Sequence, residues 1–460
     1  MLPPDLTNAS ITVVGAARSG QAVARVLANA GANVFLTEHG TPPDDLEGLR
    51  ERGVAMEFGG HTDRALQADV LVLSPGVPTE ADLVQRALAD GLRVVSEIEA
   101  ASWFCEAPIV AITGTNGKTT TTRLAGHLLR TALPNERCVF VAGNIGVAFS
   151  EVVQEASPRD VMVLEVSSFQ LDHVDTFRPR VSAFLNLTPD HLNRYGGSVE
   201  AYAQAKANIM RQQGDGDAVI FGHDDATVRH LVNETAAPSV QRLPFSQNET
   251  LETGAFMDGE TLIIRIGDST IHIPRSTLTL PGPHNLYNAQ AAALAAAGFG
   301  ASPEALCDGL ASIEPVPHRM EPVATVGGVQ YVNDSKATNV DAVRYALQSF
   351  DRPIVLLAGG RDKGNDYSVL HPLVREHVRA VIALGESAAT VERDLGAHAP
   401  TCVWADSLGD AVQQAHDLAH PGDVVLLSPA CSSFDMFVNY KDRGDRFRKH
   451  VHALAPATHR

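Results

Sequence analysis

Short apolar runs closed by glycine, proline or acidic turns alternate along this chain with stretches of helical period, the pattern of strands buried on both faces of a parallel sheet. Ser10 to Val14 predicts a strand, GAARSG a glycine turn, the stretch to Ala30 a helix and Asn33 to Thr37 a second strand. Strands at Val70 to Leu73 and Arg93 to Val95, with a helix between Thr79 and Asp90, complete a small parallel sheet that ends near Cys105. Glu106, Ala107 and Pro108 read as a linker. Beyond it, Pro108 to Thr113, Val139 to Ala142, Val161 to Leu164 and Val181 to Leu187 predict a second set of buried strands. From Asp217 to Leu280 the character changes: Val219 to Phe221, Thr261 to Arg265 and Thr270 to Ile273 predict an antiparallel patch, followed by a helix from Leu286 to Ala297. Val329 to Val332, Ile354 to Ala358, Ala380 to Leu384, Cys402 to Trp404 and Val424 to Leu427 then alternate with helices once more.

The expected fold is therefore α/β with three domains. Residues 1–106 form a Rossmann-like parallel sheet, 107–314 a P-loop ATPase-like domain with an antiparallel patch, and 315–460 a second Rossmann-like domain. The length of 460 residues agrees, at about 150 residues per domain. Pro315 and Pro317 mark the second hinge, and both proline-marked linkers are expected to permit domain motion.

Composition narrows the function classes. With 44% hydrophobic and 20% charged residues, no apolar run long enough to cross a membrane and no signal-peptide core at the start, a cytoplasmic protein without membrane insertion is expected, taken as a monomer. A net charge of -18 argues against a nucleic-acid partner. The five cysteines are scattered and never spaced as CxxC, so buried thiols are expected rather than a disulfide framework or zinc site.

The most informative run is GTNGKTT: Gly114, Thr115, Asn116, Gly117, Lys118, Thr119 and Thr120, between an apolar strand and a helix. Backbone N–H groups of such a loop, with the positive end of the helix dipole, cradle phosphates; Lys118 would reach the β- and γ-phosphates and Thr119 would hold Mg²⁺. Ile112 stands where the strict P-loop pattern has its first glycine. In GAARSG, Ala17 takes the place of the glycine that lets a dinucleotide approach, which argues against NAD, although Glu38 could bind a ribose hydroxyl. Glu165 ends an apolar strand, where a carboxylate can bind a metal beside nucleotide phosphates. His191 by default is a satisfied loop histidine and Lys206 a solvated helix lysine. Asn285 and Asn288, three apart at a helix start, could cap the helix or read a base edge. Asp334, Lys336, Lys363, Ser432 and Ser433 follow strand ends on one rim of the last domain, suited to a small carboxylate-bearing substrate, and Cys431 lacks a histidine partner for a nucleophilic role.

Taken together, GTNGKTT, GNIG, EVSSFQL, DHLNRY, AYAQAK, GPHNLYNAQAA, HRME, NDSKATN, AGGRDKG and SPACSSFDMF resemble the Mur ligase family over the whole length, with SPACSSFDMF resembling its D-glutamate-adding branch. The resemblance implies ATP-dependent amide formation: the alanine carboxylate of UDP-N-acetylmuramoyl-L-alanine attacks the γ-phosphate of ATP, and D-glutamate captures the acyl phosphate. It implies Thr119 and Glu165 as ligands of one Mg²⁺, with His191 and a carbamylated Lys206 at a second, and Lys118, Glu165, His191 and Lys206 as the catalytic set. Asn285 and Asn288 match the adenine side, and Arg319, Asp334 and Lys336 the residues that closure of the third domain brings toward the nucleotide. Lys336, Thr338, Lys363, Ser433, Phe434 and Tyr440 match the D-glutamate pocket, and Arg18, Ser19, Glu38, Gly76, Asn144 and His191 the UDP-sugar site. Asn193 stands where the family has an acid, and Glu38 where it has Asp. A sister Mur or folylpolyglutamate-type ligase using another amino acid is the alternative; a nucleotide switch and an NAD-dependent dehydrogenase are the rivals from other classes.

Overall fold

The computed structural model describes residues 6–280, 282–313, 317–362 and 364–454. It contains three sheets. The first runs, edge to edge, Ala55–Phe58, Asn33–Glu38, Ser10–Val14, Val70–Leu73, Arg93–Ser96, every pairing parallel. The central sheet has nine strands: Ser269–Pro274, Thr261–Ile266, Gly254–Asp258, Gln241–Ser246, Ala218–Gly222, Val181–Phe184, Ile109–Thr113, Val161–Glu165, Val139–Gly143. Only its first three strands pair antiparallel. The third runs Glu321–Val326, Val329–Asn333, Val424–Leu427, Ile354–Gly359, Val378–Leu384, Thr401–Ala405, with one antiparallel pairing at the Glu321–Val326 edge.

Burial follows the expected logic. Ile109–Thr113, Val161–Glu165 and Ile354–Gly359 are buried at every position, as parallel strands covered on both faces must be. Ser269–Pro274 instead buries only Ile271 and Ile273, the alternation of a half-solvated antiparallel strand. Residues up to 278 together with 287–312 form one compact unit; 279–286 and the residues from 313 onward form a second.

Several expectations needed correction. Val219 to Phe221 belongs to the parallel part of the sheet, between Val181–Phe184 and Gln241–Ser246, rather than to the antiparallel patch. The strand expected to reach Leu187 ends at Phe184, because Leu187 N–H turns to the Asp225 carboxylate instead. The strands Ala55–Phe58, Gln241–Ser246, Gly254–Asp258 and Glu321–Val326 were not foreseen. Pro244 interrupts the second of these as a sequence pattern, yet pairing with Gly254–Asp258 begins only at Phe245, past the missing N–H. Gly327 and Gly328, at φ +58° and +81°, make the two-residue hairpin loop after Glu321–Val326, since both positions need the left-handed region.

The first linker runs beside a hydrogen-bonded joint between the first and central sheets. In the helix Glu97–Ser102, the Glu99 carboxylate accepts from the backbone N–H groups of Asp175, Thr176 and Phe177, from Thr176 Oγ1 and from Trp103 Nε1. Glu97 Oε1 accepts from Ser150 N and Oγ. Both side chains are buried, and a buried carboxylate survives only with such a donor set. The first and central sheets therefore belong to a single compact unit, bolted at this joint. Pro315 lies outside the described residues.

Candidate active site

The 15-residue helix Lys118–Ala132 starts from Gly117, whose φ of +84° is a left-handed conformation. An added Cβ there would fall 2.3 Å from Asn288 Oδ1, so conformation and space both require glycine. Six consecutive buried or half-buried residues, 115–120, thus present a glycine turn and a helix N-terminus at the carboxyl end of the strand Ile109–Thr113, the arrangement that receives phosphate. Lys118 Nζ donates to the carbonyls of Gly114 and Thr115, both at 2.8 Å, so it is folded onto the loop rather than extended.

Around this loop the strand ends converge. Thr119 Oγ1 donates to Glu165 Oε2 at 2.7 Å. The other Glu165 oxygen accepts from Asn144 Nδ2 at 3.0 Å, and Asn144 N–H donates to the Glu165 carbonyl. Gly143, at φ +99°, allows that approach, since a Cβ would lie 2.3 Å from the Glu165 carbonyl oxygen. Asn144, assigned by resemblance to the UDP-sugar, therefore sits against the expected metal ligand. Hydroxyl, carboxylate and amide oxygens are the donor type that magnesium takes, so Thr119 and Glu165 fit it. Among the described residues there is no cluster of three or more His, Cys, Asp or Glu side chains that could hold a metal by themselves.

Lys206, in the helix Val199–Ala207, is not solvated. It is 1% exposed; its Nζ donates to the Gly114 carbonyl at 2.8 Å and lies 4.6 Å from the centre of the Tyr202 ring. Burial, with Lys118 nearby, holds its amine well below the usual lysine range, while Asp190, Asp172 and Glu165 pull the other way. Tyr202, one helical turn earlier, places its hydroxyl 3.2 Å from Thr115 Oγ1. His191 adopts a left-handed φ of +53°, with Nε2 3.6 Å from Asp190 Oδ2 and its ring edge-on to Phe169 at 5.1 Å. The Arg194 guanidinium lies over the same Phe169 ring at 4.0 Å, and Arg194 also donates to the Val77 carbonyl of the SPGVP turn. Asn288 Oδ1 accepts from Thr121 Oγ1 at 3.3 Å; Asn285 is likewise buried.

A cavity of about 610 Å³ opens at the carboxyl ends of the first sheet, lined among others by Gly15, Glu38, His61, Gly76, Pro78 and Arg86. Its size suits a small-molecule ligand. Glu38 spans the turn: Oε2 accepts from Ala16 N and Oε1 from Gly40 N, each at 2.8 Å, and these bonds hold its carboxyl below the usual range. Arg18, Ser19, Asn144 and His191 are not among the lining residues. Arg18 instead makes a two-pronged ion pair with Glu151 and donates to the Gly146 carbonyl.

In the second unit, Asp334 accepts from Met320 N and Ser428 Oγ, and burial pushes its carboxyl up to about 7 against the opposing pull of Arg319. Lys336 lies 5.6 Å from the Tyr440 ring; Ser433 is buried and Phe434 is 64% exposed. Thr338 N–H donates to the Lys336 carbonyl. Lys363 lies outside the described residues. Sequence reasoning overlooked Arg443. This fully buried guanidinium donates to Ser335 Oγ, the Ser335 carbonyl and the Cys431 carbonyl, tying the NDSKATN turn to the SPACSS turn.

Residues 9–96 match the MurD-like N-terminal domain of Mur ligases, 112–296 the Mur ligase middle domain and 318–431 the Mur ligase glutamate ligase domain. A UDP-N-acetylmuramoylalanine--D-glutamate ligase of Salinibacter ruber is 58% identical over 459 residues, covering 99% of this chain and all of the relative. Its namesake in Chlorobaculum tepidum is 44% identical with the same coverage. In fold, the chain is similar to a pseudomurein peptide ligase type C from Methanothermus fervidus, TM-score 0.60 at 17% identity over 97% of this chain and all of that one. It is also similar to a MurF ligase from Thermotoga maritima in complex with ADP, TM-score 0.59 at 17% identity over 98% and 97% of the two chains.

Proposed function

The chain belongs to the Mur ligase family, and from that premise we infer that it joins D-glutamate to UDP-N-acetylmuramoyl-L-alanine at the expense of ATP, in peptidoglycan precursor synthesis. The observation that carries this reading is the end-to-end 58% identity to a D-glutamate ligase, combined with a phosphate loop whose Thr119 is already paired with Glu165.

The alanyl carboxylate oxygen attacks the γ-phosphorus, the bond to ADP breaks, and the amine of D-glutamate then displaces phosphate from the acyl carbon. Residues 114–120 hold the phosphates through backbone N–H groups and the helix N-terminus. Lys118 leaves the Gly114 and Thr115 carbonyls to meet the γ-phosphate. Thr119 and Glu165 would hold Mg²⁺, which when bound supplies charge that offsets the transferring phosphoryl group. Lys206 is suited to carbamylation because burial favours the neutral amine that attacks CO₂; after loss of a proton to solvent the product is an anionic oxygen donor, which with His191 would serve a second metal. The cavity of the first sheet takes the nucleotide-sugar, with Glu38 ordering its turn and Gly76 opening its wall. Asn285 and Asn288 serve the adenine, and Arg319 and Asp334 the nucleotide. Lys336, Thr338, Ser433, Phe434 and Tyr440 serve D-glutamate.

Phosphate release tests the reading. Turnover is expected only when UDP-N-acetylmuramoyl-L-alanine and D-glutamate are both present, and equal rates with L-lysine or L-alanine in place of D-glutamate would overturn it.

A further inference from the structure

Behind His61, which lines the first-sheet cavity, runs a chain of hydrogen bonds that the mechanism above does not use. Thr37 Oγ1 lies 2.7 Å from Glu57 Oε1 and 2.7 Å from His61 Nδ1. Glu57 is held in turn by the adjacent residue of the same loop: Oε1 accepts from Thr62 N and Oε2 from Thr62 Oγ1. With three hydroxyl and amide donors on it, Glu57 is a carboxylate and has no proton to give; its carboxyl lies below the usual range, those bonds outweighing its partial burial.

A hydroxyl carries one hydrogen. The Thr37 hydrogen goes to the Glu57 carboxylate, so the contact between Thr37 Oγ1 and His61 Nδ1 is made by the imidazole hydrogen. That fixes the tautomer: Nδ1 is the donor and Nε2 carries a lone pair. Partial burial, with His39 alongside, keeps the ring below the usual histidine range, which favours the neutral form at pH 7. Nε2 makes no hydrogen bond to the protein among the described residues, and His61 lines the cavity together with Gly76 and Pro78. Of the two imidazoles that line the cavity, His39 and His61, it is His61 whose ring acceptor is held in direction by Thr37, with Glu57 and Thr62 behind it.

We propose that the Glu57–Thr37–His61 chain orients His61 Nε2 as the acceptor for the N3–H of the uracil in the nucleotide-sugar substrate. The proposal rests on the reading that this cavity holds the uridine end of that substrate. Uracil presents an imide N–H between two carbonyls, whereas N3 of cytosine is itself an acceptor and would face the His61 lone pair. His61 is then a base-specificity residue, and Thr37 and Glu57 position it.

Binding of UDP and of N3-methyl-UDP to the full chain, measured by calorimetry, tests this. Wild type is expected to bind UDP about tenfold more tightly than the N3-methyl compound or CDP, the usual effect of one unmade hydrogen bond. His61→Phe keeps the ring without the acceptor and is expected to weaken UDP about tenfold and to abolish the preference over N3-methyl-UDP; His61→Gln, whose amide oxygen can accept, keeps most of it. Melting curves confirm that each variant is folded. Equal binding of UDP and N3-methyl-UDP by wild type, or undiminished preference in His61→Phe, overturns the His61 role while leaving the cavity assignment standing. Gly76→Leu separates the two, because a Cβ at Gly76 meets nothing within 4 Å and the side chain projects into open space. UDP binding unaffected by that change would place the nucleotide elsewhere and overturn both.

Discussion

Asn144 and Thr119 grip opposite oxygens of the Glu165 carboxylate, at 3.0 and 2.7 Å, one from the loop after Val139–Gly143 and the other from the first turn of the helix Lys118–Ala132. Glu165→Gln keeps the shape but removes the charge and puts a donor where Thr119 now donates. Turnover should fall about 10²- to 10³-fold, as for loss of a group acting on developing charge. The measurement is phosphate release across a magnesium titration, and a rate within threefold of wild type would remove Glu165 from the metal site. Asn144→Ala should instead raise the magnesium concentration needed, about tenfold, because a group that only orients a ligand is lost.

Lys206→Ala should abolish turnover, and acetate or propionate should restore part of it by occupying the space of the carbamate. Labelled bicarbonate should be trapped on wild type and not on the variant. An alanine variant as active as wild type would sink the carbamate assignment.

Asp172 supplies a pH signature. Burial pushes its carboxyl up to about 6 from 3.8, although Tyr195 donates to it at 3.1 Å. The folded chain thus favours the protonated form. Its contribution to stability is complete below pH 3.8 and is lost as pH rises through about 6. Asp172→Asn should match wild type near pH 4 and exceed it above pH 6, by about 1 kcal/mol once partial exposure is allowed for. Melting temperature against pH reads this directly; parallel curves for the two proteins would contradict it.

Arg443 should act on one substrate only. Arg443→Lys replaces a planar fork, which spans Ser335 and Cys431, with a point donor that cannot reach both. KM for D-glutamate should rise about tenfold, roughly the loss of one hydrogen bond's worth of positioning, with the KM for ATP unchanged. A uniform change in all three KM values would indicate a merely structural role.

The parts of this site that the sequence disclosed are those where one residue carries its own signal. Glu165 could be found because an acid ends a wholly apolar strand, and residues 114–120 because glycine and lysine spacing is itself the binding geometry. What stayed hidden depends on pairs far apart in the chain. Nothing near Asn144 announces that it will meet a carboxylate 21 positions later. Glu97 and Glu99, on a short helix, carry no mark in their own neighbourhood of the partners they meet in the 150 and 175–177 segments. Lys206 reads as a surface lysine for the same reason: its burial is imposed by the Gly114 loop, 92 residues away. Among strands, the edge piece Ala55–Phe58 is short and only half-buried, so no hydrophobic run marks it, whereas the Gly327–Gly328 hairpin was legible and overlooked.

The joint at Glu97 and Glu99 also bears on how such ligases can be recombined. A cut at residues 106–108 looks natural by sequence, but a first domain transplanted there would leave its two acids facing foreign backbone, with Asp175, Thr176 and Phe177 N–H groups unanswered. A working chimera has to carry the 150 and 173–177 segments along with the sugar pocket, so the unit that can be exchanged is discontinuous in sequence.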